Sequence, residues 1–205
     1  EDEVLLLDEF RSDDPSESIP GFPMHPHRGI ETVTYIFAGE VSHRDTLGNS
    51  GVLGPGDVQW MTAGRAIMHE EMPGHRDGKL IGFQLWVNLP AKDKMMDPRY
   101  QDMPAEQIPE IERENGVRVR VITGTVDGVQ GPVKDIIANP IYLDVSMPPE
   151  AVFHQDVTRG HTVFAYVFAG RGSMGADRVN SPQLVIFGDG NAVEAQTGET
   201  SLRFL

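Results

Sequence analysis

A repeated strand motif constrains the fold of this chain more than any other feature of its sequence. The segment from His27 to Gly39 reads HRGIETVTYIFAG, and the segment from Thr158 to Gly170 reads TRGHTVFAYVFAG. The two lie 131 positions apart and share Arg, Gly, Tyr, Phe, Ala and Gly at matching places. Each places β-branched and aromatic residues between two glycines, which is typical of a strand that ends at a turn. We therefore expect one β-domain that is used twice.

Other parts of the chain predict further short strands and very little helix. Residues 117–121 alternate valine and arginine, which indicates a strand with one buried face. Residues 80–89 are largely apolar on both parities, which indicates a strand that is buried on both faces. Turn residues such as Pro55, Gly56 and Asp57 separate these segments. The pattern predicts an all-β fold of the sandwich or barrel type.

A change of composition near the middle of the chain indicates a connection between two domains. Residues 90–109 are rich in lysine, aspartate, methionine and proline, and residues 104–108 favour a helical turn that begins at a proline. We expect an N-terminal β-domain over residues 1–100, a linker with a short helical turn over 101–116, and a C-terminal β-domain over 117–205.

The composition argues against several classes of function. The chain has 17 Lys+Arg against 31 Asp+Glu and a formal net charge of −14, which disfavours direct contact with nucleic acid or an anionic membrane. There is no cysteine, no leader sequence and no apolar run near 18 residues, so we expect a cytoplasmic protein. We also expect a monomer, and residues missing at both ends because the chain starts at Glu1 and stops in a short apolar segment.

Two clusters in the first copy of the repeat have the spacing of metal ligands. His25 and His27 are two residues apart, and so are His69 and Glu71. On an extended strand such pairs project from one face. If the two strands are neighbours, three imidazoles and one carboxylate converge on one point. Such a sulfur-free site accommodates Fe(II), Mn, Ni, Cu or Zn and keeps positions open for exchangeable ligands.

The second copy of the repeat lacks these residues. At the offset of the repeat, His25 falls on Asp156 and His27 falls on Thr158. No His-x-Glu cluster follows Gly190. We therefore expect a metal in the first copy and none in the second.

Several other residues near these clusters are expected to be structural. Four histidines lack the ligand spacing, and they are His43, His75, His154 and His161. His43 is predicted to be a solvated partner in a charge pair, and Glu70 is predicted to face the surface, opposite to Glu71. The large apolar side chains close to the clusters are expected in the core, and they are Phe22, Met24, Trp60 and Trp86.

Longer stretches of the sequence resemble the pirin family of bicupins. The segments that carry the resemblance are 22–33, 56–64, 69–72 and 84–88. The similarity runs from Leu5 to the last residue. It implies two tandem cupin barrels, each a double-stranded β-helix, packed together with one mononuclear metal in the N-terminal barrel. It favours Fe(II) and implies the ligands His25, His27, His69 and Glu71.

The general cupin pattern and the pirin pattern differ in the fourth ligand. In a generic cupin the carboxylate comes from the first motif, which here is Glu31. In pirins it lies two residues after the last histidine, which here is Glu71. Strand parity permits both, because Glu31 shares its parity with His27 just as Glu71 shares its parity with His69. We favour Glu71 and expect Glu31 to support the site from outside the ligand set or to be packed.

The resemblance also implies a reaction. Several pirins have quercetin 2,3-dioxygenase activity, in which a flavonol reacts with O2 and its ring is opened. In that reaction Glu71 is the expected catalytic base for the hydroxyl proton of the substrate. One alternative is a metal-dependent regulatory protein, a transcription cofactor or enzyme modulator that acts through a protein partner. Another is a cupin enzyme that acts on a different small oxygenated metabolite, for example as an isomerase.

Overall fold

The computed structural model describes residues 4–12, 21–74 and 79–205. The regular structure of these residues is almost entirely β-strand, with one short 3-10 helix at Ala105–Gln107. The predicted all-β fold is therefore confirmed. No helix in the described part of the chain is long and apolar enough to cross a membrane.

The chain divides into two compact units. The first contains residues 1–107 and 135–139, and the second contains residues 108–134 and 140–205. The change of unit after Gln107 falls inside the segment that was predicted as a linker. The predicted barrel boundaries themselves stay a prediction.

The first unit consists of two antiparallel sheets. Its strands are β1 (Val4–Ser12), β2 (Phe22–His27), β3 (Ile30–Ala38), β4 (Glu40–Asp45), β5 (Ser50–Leu53), β6 (Val58–Thr62), β7 (Ile67–Gly74), β8 (Leu80–Asn88) and β9 (Arg99–Met103). One sheet has the order β1-β8-β3-β6-β9 and the other has the order β2-β7-β4-β5. Strand β8 is buried at almost every position, as its apolar composition predicted.

The second unit is also built from antiparallel strands. They are β10 (Glu110–Glu112), β11 (Arg118–Thr123), β12 (Thr125–Val126), β13 (Val129–Gln130), β14 (Tyr142–Met147), β15 (Val152–Asp156), β16 (Phe164–Met174), β17 (Asp177–Asn180), β18 (Gln183–Ile186), β19 (Ala192–Gln196) and β20 (Leu202–Phe204). In β11, Val119 and Val121 are fully buried whereas Arg118 is exposed, so the predicted half-buried strand is confirmed. These valines belong to the apolar core of this unit.

The sequence repeat has a structural counterpart in the two units. The pairing of β3 with β8 shifts register between residues 36 and 38, and the pairing of β16 with β20 shifts between residues 167 and 169. Gly39 and Gly170 follow these shifts with φ angles of 81° and 77°. Both glycines thus occupy the left-handed region, which side chains with a Cβ avoid. The same irregularity recurs at the offset of the repeat.

The faces of the first sheet determine which side chains approach the ligand clusters. Thr34 on β3 lies opposite Gln84 on β8 and opposite Gln59 on β6. Directly opposed residues of an antiparallel pair point to the same face. Side chains of β3 an odd number of positions away from Thr34, such as Glu31, therefore point to the other face.

Candidate metal centre

Adjacent strands bring the two histidine clusters together. Strands β2 and β7 pair antiparallel, and His25 lies directly opposite His69. His27 is two residues further along β2 and shares the face of His25. The ring centroids of His25 and His27 are 4.7 Å apart, those of His25 and His69 are 4.6 Å apart, and those of His27 and His69 are 5.0 Å apart. The convergence of three imidazoles predicted from their spacing is thus present.

The ring nitrogens of these three histidines have the spacing of ligands to one ion. One nitrogen from each side chain lies within 4.8 Å of the other two. Nε2 of His25 and Nε2 of His27 are 2.9 Å apart. Two ligands about 2.1 Å from one ion and at right angles to each other lie about 3.0 Å apart. The cluster therefore fits a single metal ion.

A backbone carbonyl fixes the tautomer of His25. Its Nδ1 lies 2.9 Å from the carbonyl oxygen of Pro23. A carbonyl oxygen can only accept, so Nδ1 carries the proton and Nε2 keeps its lone pair. This is the usual arrangement for a metal-binding histidine, whose second nitrogen donates to an oxygen.

His69 is a buried histidine whose ring nitrogens have no partner among the described residues. Its side chain is 1% exposed, and neither ring nitrogen has a hydrogen-bond partner in the described part of the chain. Its Nε2 is 3.9 Å from Oε2 of Glu71, which is too long for a hydrogen bond. Buried polar atoms are nearly always satisfied, and a bound cation would satisfy the lone pair of one of these two nitrogens.

The buried histidines are neutral at ordinary pH. Burial lowers the pKa of His27 to about 4, and the neighbouring His69 and His25 add to the effect. Burial likewise lowers the pKa of His69 to about 4. Only a neutral imidazole offers a lone pair to a metal, so both side chains are ready to bind one.

The carboxylate of Glu71 lies beside this cluster and is held by two polar side chains. Glu71 is 3% exposed. Nε2 of Gln84 donates to Oε1 and Oε2 of Glu71 at 3.1 and 2.9 Å, and the hydroxyl of Thr34 donates to Oε1 at 3.1 Å. Segment 84–88 resembles pirins but did not indicate this contact. Strand register places Thr34 opposite Gln84, and the packing of the two sheets brings both to Glu71.

Glu31 is separated from the histidine cluster by its own strand. Thr34, which contacts Glu71, has the opposite parity on β3, so Glu31 points to the other face of the sheet. There Oε1 of Glu31 accepts a hydrogen bond of 2.6 Å from the hydroxyl of Thr62. Burial raises the pKa of Glu31, and its side chain is 0% exposed. Glu31 and His27 have the same parity in sequence, but they lie on different strands. The turn between β2 and β3 means that shared parity does not place them on one face.

His43 is buried, and its prediction as a solvated partner was wrong. It is 5% exposed and lies opposite Glu71 on the neighbouring strand β4. Nε2 of Gln59 donates to Nε2 of His43 at 2.9 Å and to Oδ1 of Asp102 at 2.9 Å. The ring of Tyr100 stacks on His43 with centroids 5.7 Å apart. The interior behind the cluster is thus polar, which the sequence of β4 did not indicate.

The four large apolar side chains near the clusters have different environments. Trp60 is 1% exposed and belongs to the core as predicted. The indole of Trp86 contacts His27 edge to face, with centroids 5.2 Å apart. Met24 and Phe22 are 38% and 37% exposed, so their assignment to the core was wrong.

A small apolar pocket, with a volume of about 10 Å³, lies beside Glu71. Its other lining residues are Phe10, Phe22, Val41, Pro73 and Leu80. The rings of Phe10 and Phe22 meet edge to face with centroids 6.3 Å apart. Glu71 is therefore the polar group in an otherwise hydrophobic lining, and the space is that of about one water molecule.

The corresponding residues of the second unit are on the surface. Asp156 and Thr158 are exposed, and Asp156 forms an ion pair of 3.1 Å with His154. His161 is exposed as well, and His75 lies outside the described residues. Within residues 4–12, 21–74 and 79–205, the three histidines at 25, 27 and 69 form the one group of this kind that could hold a metal.

Two family models match most of the chain. The model described as Pirin matches residues 2–87, and the model described as Pirin C-terminal cupin domain matches residues 142–205. Each of these two segments contains one copy of the repeat.

Individual relatives agree with this match. A pirin-like protein of Caulobacter vibrioides is 42% identical over 196 residues, which are 95% of this chain and 71% of that protein. A Pseudomonas aeruginosa protein named provisionally as a quercetin 2,3-dioxygenase is 42% identical over 98% of this chain and 71% of its own length. The crystal structure of quercetin 2,3-dioxygenase from Acinetobacter baumannii superposes with a TM-score of 0.87 at 32% identity, over 98% of this chain and 73% of that chain.

Proposed function

The chain belongs to the pirin family, and from this premise we propose that it is a mononuclear metal enzyme that oxygenates flavonols in the manner of a quercetin 2,3-dioxygenase. The observation that carries the proposal is the convergence of three imidazoles, two of them neutral because they are buried, beside a buried carboxylate. The provisional name of the Pseudomonas relative and the name of the Acinetobacter protein support the choice of reaction.

The proposed ligands are His25, His27, His69 and Glu71. Three neutral nitrogens and one carboxylate leave a divalent ion with a net positive charge and room for further ligands. When bound, such an ion supplies Lewis acidity and positions for exchangeable oxygen ligands. Fe(II) is our first choice because of the family resemblance, and Mn, Ni, Cu and Zn are compatible with the same donors.

Glu71 has a second role in this proposal. It accepts the hydroxyl proton of the flavonol at Oε2, which is the oxygen on the side of His69. A general base must lie within hydrogen-bond reach of the proton that it takes, and Glu71 is the carboxylate beside the histidines that would hold the ion. Its hydrogen bonds from Gln84 and Thr34 keep the carboxylate in place while the proton moves.

Apolar side chains shield one side of Glu71 from water. Phe10, Val41 and Leu80 are buried in one apolar cluster, and the ring of Phe22 packs edge to face against Phe10. Pro73 and Glu71 come from the same strand, so the apolar wall and the base are fixed relative to each other.

An oxygen electrode tests the proposal directly. The iron-loaded protein is expected to take up one O2 for each quercetin consumed, since both oxygen atoms enter the product of a dioxygenase. The His69→Ala variant is expected to show no uptake, and the His154→Ala variant, changed at an exposed histidine of the second unit, is expected to match the unchanged protein. Absence of any metal-dependent uptake by the unchanged protein would remove the dioxygenase proposal.

A further inference from the structure

The amide of Gln84 touches Glu71 through both carboxylate oxygens. Nε2 of Gln84 lies 2.9 Å from Oε2 and 3.1 Å from Oε1. The same nitrogen lies 3.3 Å from the hydroxyl of Thr34, which itself donates to Oε1. Gln84 is 8% exposed and Glu71 is 3% exposed, so water has little access to these bonds.

The indole of Trp86 fixes which way this amide points. Nε1 of Trp86 donates to Oε1 of Gln84 at 3.0 Å. An indole N–H can only donate, so it requires the amide oxygen on its own side and turns the amide nitrogen toward Glu71. The reverse orientation would place the amide oxygen against a carboxylate and two N–H groups against each other. The amide is therefore held in one orientation by its two neighbours.

Strand alternation places this pair against the two ligand strands. Gln84 and Trp86 are two residues apart on β8 and project from the same face. The ring of Trp86 meets His27 of β2 edge to face, and the amide of Gln84 meets Glu71 of β7. Two side chains of one rigid central strand thus contact a ligand candidate on each of the paired strands β2 and β7.

We propose that Gln84 is a positioning residue for the metal centre, which directs the carboxylate of Glu71 toward the three histidines while Trp86 locks its amide. This inference rests on the proposed function, since it concerns the same site. A carboxylate in a nearly dry interior adopts the direction in which its hydrogen bonds are satisfied. Without Gln84, Oε2 loses its donor on this side and Glu71 is free to turn away from His69. Outer partners of this kind typically change metal affinity by about 10- to 100-fold.

The test measures metal binding rather than catalysis. Co(II) is the probe, and its dissociation constant is obtained by competition with a coloured chelator, together with the visible spectrum of the loaded protein. Gln84→Met, which keeps the side-chain length, is expected to weaken Co(II) binding by about 10- to 100-fold and to alter the spectrum. Trp86→Phe keeps a ring against His27 but removes the N–H, and it is expected to shift both readouts in the same direction by less.

Gln59→Met is the matched control. Gln59 is a buried glutamine on the same face of the same sheet, yet it donates to His43 and Asp102 and not to Glu71. It is expected to lower stability while leaving the Co(II) affinity and spectrum unchanged.

The outcomes separate the positioning role from the proposed function. A folded Gln84→Met variant with the affinity and spectrum of the unchanged protein would overturn the positioning role alone. If that variant does not fold, an unchanged spectrum in Trp86→Phe overturns it instead. Weakened Co(II) binding in Gln84→Met, combined with no quercetin oxygenation by the unchanged protein, would uphold the positioning role and reject the dioxygenase. An unchanged protein that binds no Co(II) would overturn both.

Discussion

His25 lies directly across the β2–β7 ladder from His69, with ring centroids 4.6 Å apart. A slip of one residue in this pairing would turn one of the two side chains to the opposite face of the sheet. The cluster therefore depends on strand register and not only on the spacing within each motif. The register shift between Phe22 and His25 adjusts β2 so that Phe22 meets Glu71 at the pocket.

Removal of the carboxylate at position 71 is expected to lower the turnover rate much more than the metal content. Glu71→Gln keeps the size of the side chain and one of its two acceptor oxygens but cannot accept the substrate proton. We expect the turnover rate with quercetin to fall by about 100- to 10,000-fold, as for the loss of a general base. The metal is expected to bind more weakly but to remain detectable, because the three histidines are intact.

Glu70→Gln is the matched control for this variant. Glu70 points away from the cluster and pairs with Arg44 at 2.5 Å on the outer face of the sheet. We expect its turnover rate to equal that of the unchanged protein. Full activity in Glu71→Gln would contradict the role assigned to this carboxylate.

Three histidines of the metal-free protein are expected to titrate in two groups. Burial lowers the pKa of His27 and His69 to about 4, whereas hydrogen bonds from His154 to Asp156 and Glu194 raise the pKa of His154. NMR spectra of the imidazoles at pH 5.5 should show neutral rings for the first two and a protonated ring for His154. A protonated His69 at that pH would contradict the account of its burial.

These pKa shifts should make the free energy of unfolding depend on pH, with one sign for His27 and His69 and the opposite sign for His154. Between pH 6.5 and about 4 the unfolded chain binds more protons at positions 27 and 69 than the folded chain does. The free energy of unfolding of the metal-free protein is therefore expected to fall as the pH falls through this window. His154 contributes in the other direction, since its stabilisation is present below pH 6.5 and is lost as the pH rises through its raised pKa. Urea unfolding at several pH values, with His154→Gln as the comparison, measures both effects.

The two glycines of the repeat are expected to be equally intolerant of a side chain. A Cβ at Gly39 would overlap the carbonyl oxygen of Lys79, and a Cβ at Gly170 would overlap the carbonyl oxygen of Ser201. Both also have positive φ. We expect Gly39→Ala and Gly170→Ala each to destabilise the protein by at least about 2 kcal/mol.

Gly198→Ala is the control for these two variants, because nothing lies within 4 Å of its Cβ position and its φ is not in the left-handed region. Its thermal midpoint is expected to stay close to that of the unchanged protein. A normal midpoint in Gly170→Ala alone would show that the second copy does not share the geometry of the first.

The sequence predicted those features that depend on local pattern. The all-β class follows from period-two alternation such as that of Val119 and Val121, and the duplication follows from matched glycines at 39 and 170. The two ligand pairs were predictable because an extended strand places i and i+2 on one face. Each of these signals lies within a single segment of the chain.

Features that depend on pairing between distant strands could not be predicted. His43 was predicted to be a surface histidine because its strand has polar residues on both faces. Only the pairing of β4 with β7 buries it opposite Glu71. Gln84 lies in a strand predicted to be buried on both faces. The register of β8 with β3 brings it to Thr34, and the packing of the two sheets brings it to Glu71. Strand order and register are set by the whole core and cannot be recognised within a single segment of the sequence.

Metal analysis of anaerobically purified protein tests the central claim most directly. The unchanged protein is expected to carry one metal ion per chain, and His69→Ala is expected to carry almost none, because the variant removes the buried imidazole at the centre of the cluster. His161→Ala, at an exposed histidine of the second unit, is expected to retain the ion. A full equivalent of metal in His69→Ala would contradict the assignment of the metal centre to His25, His27 and His69.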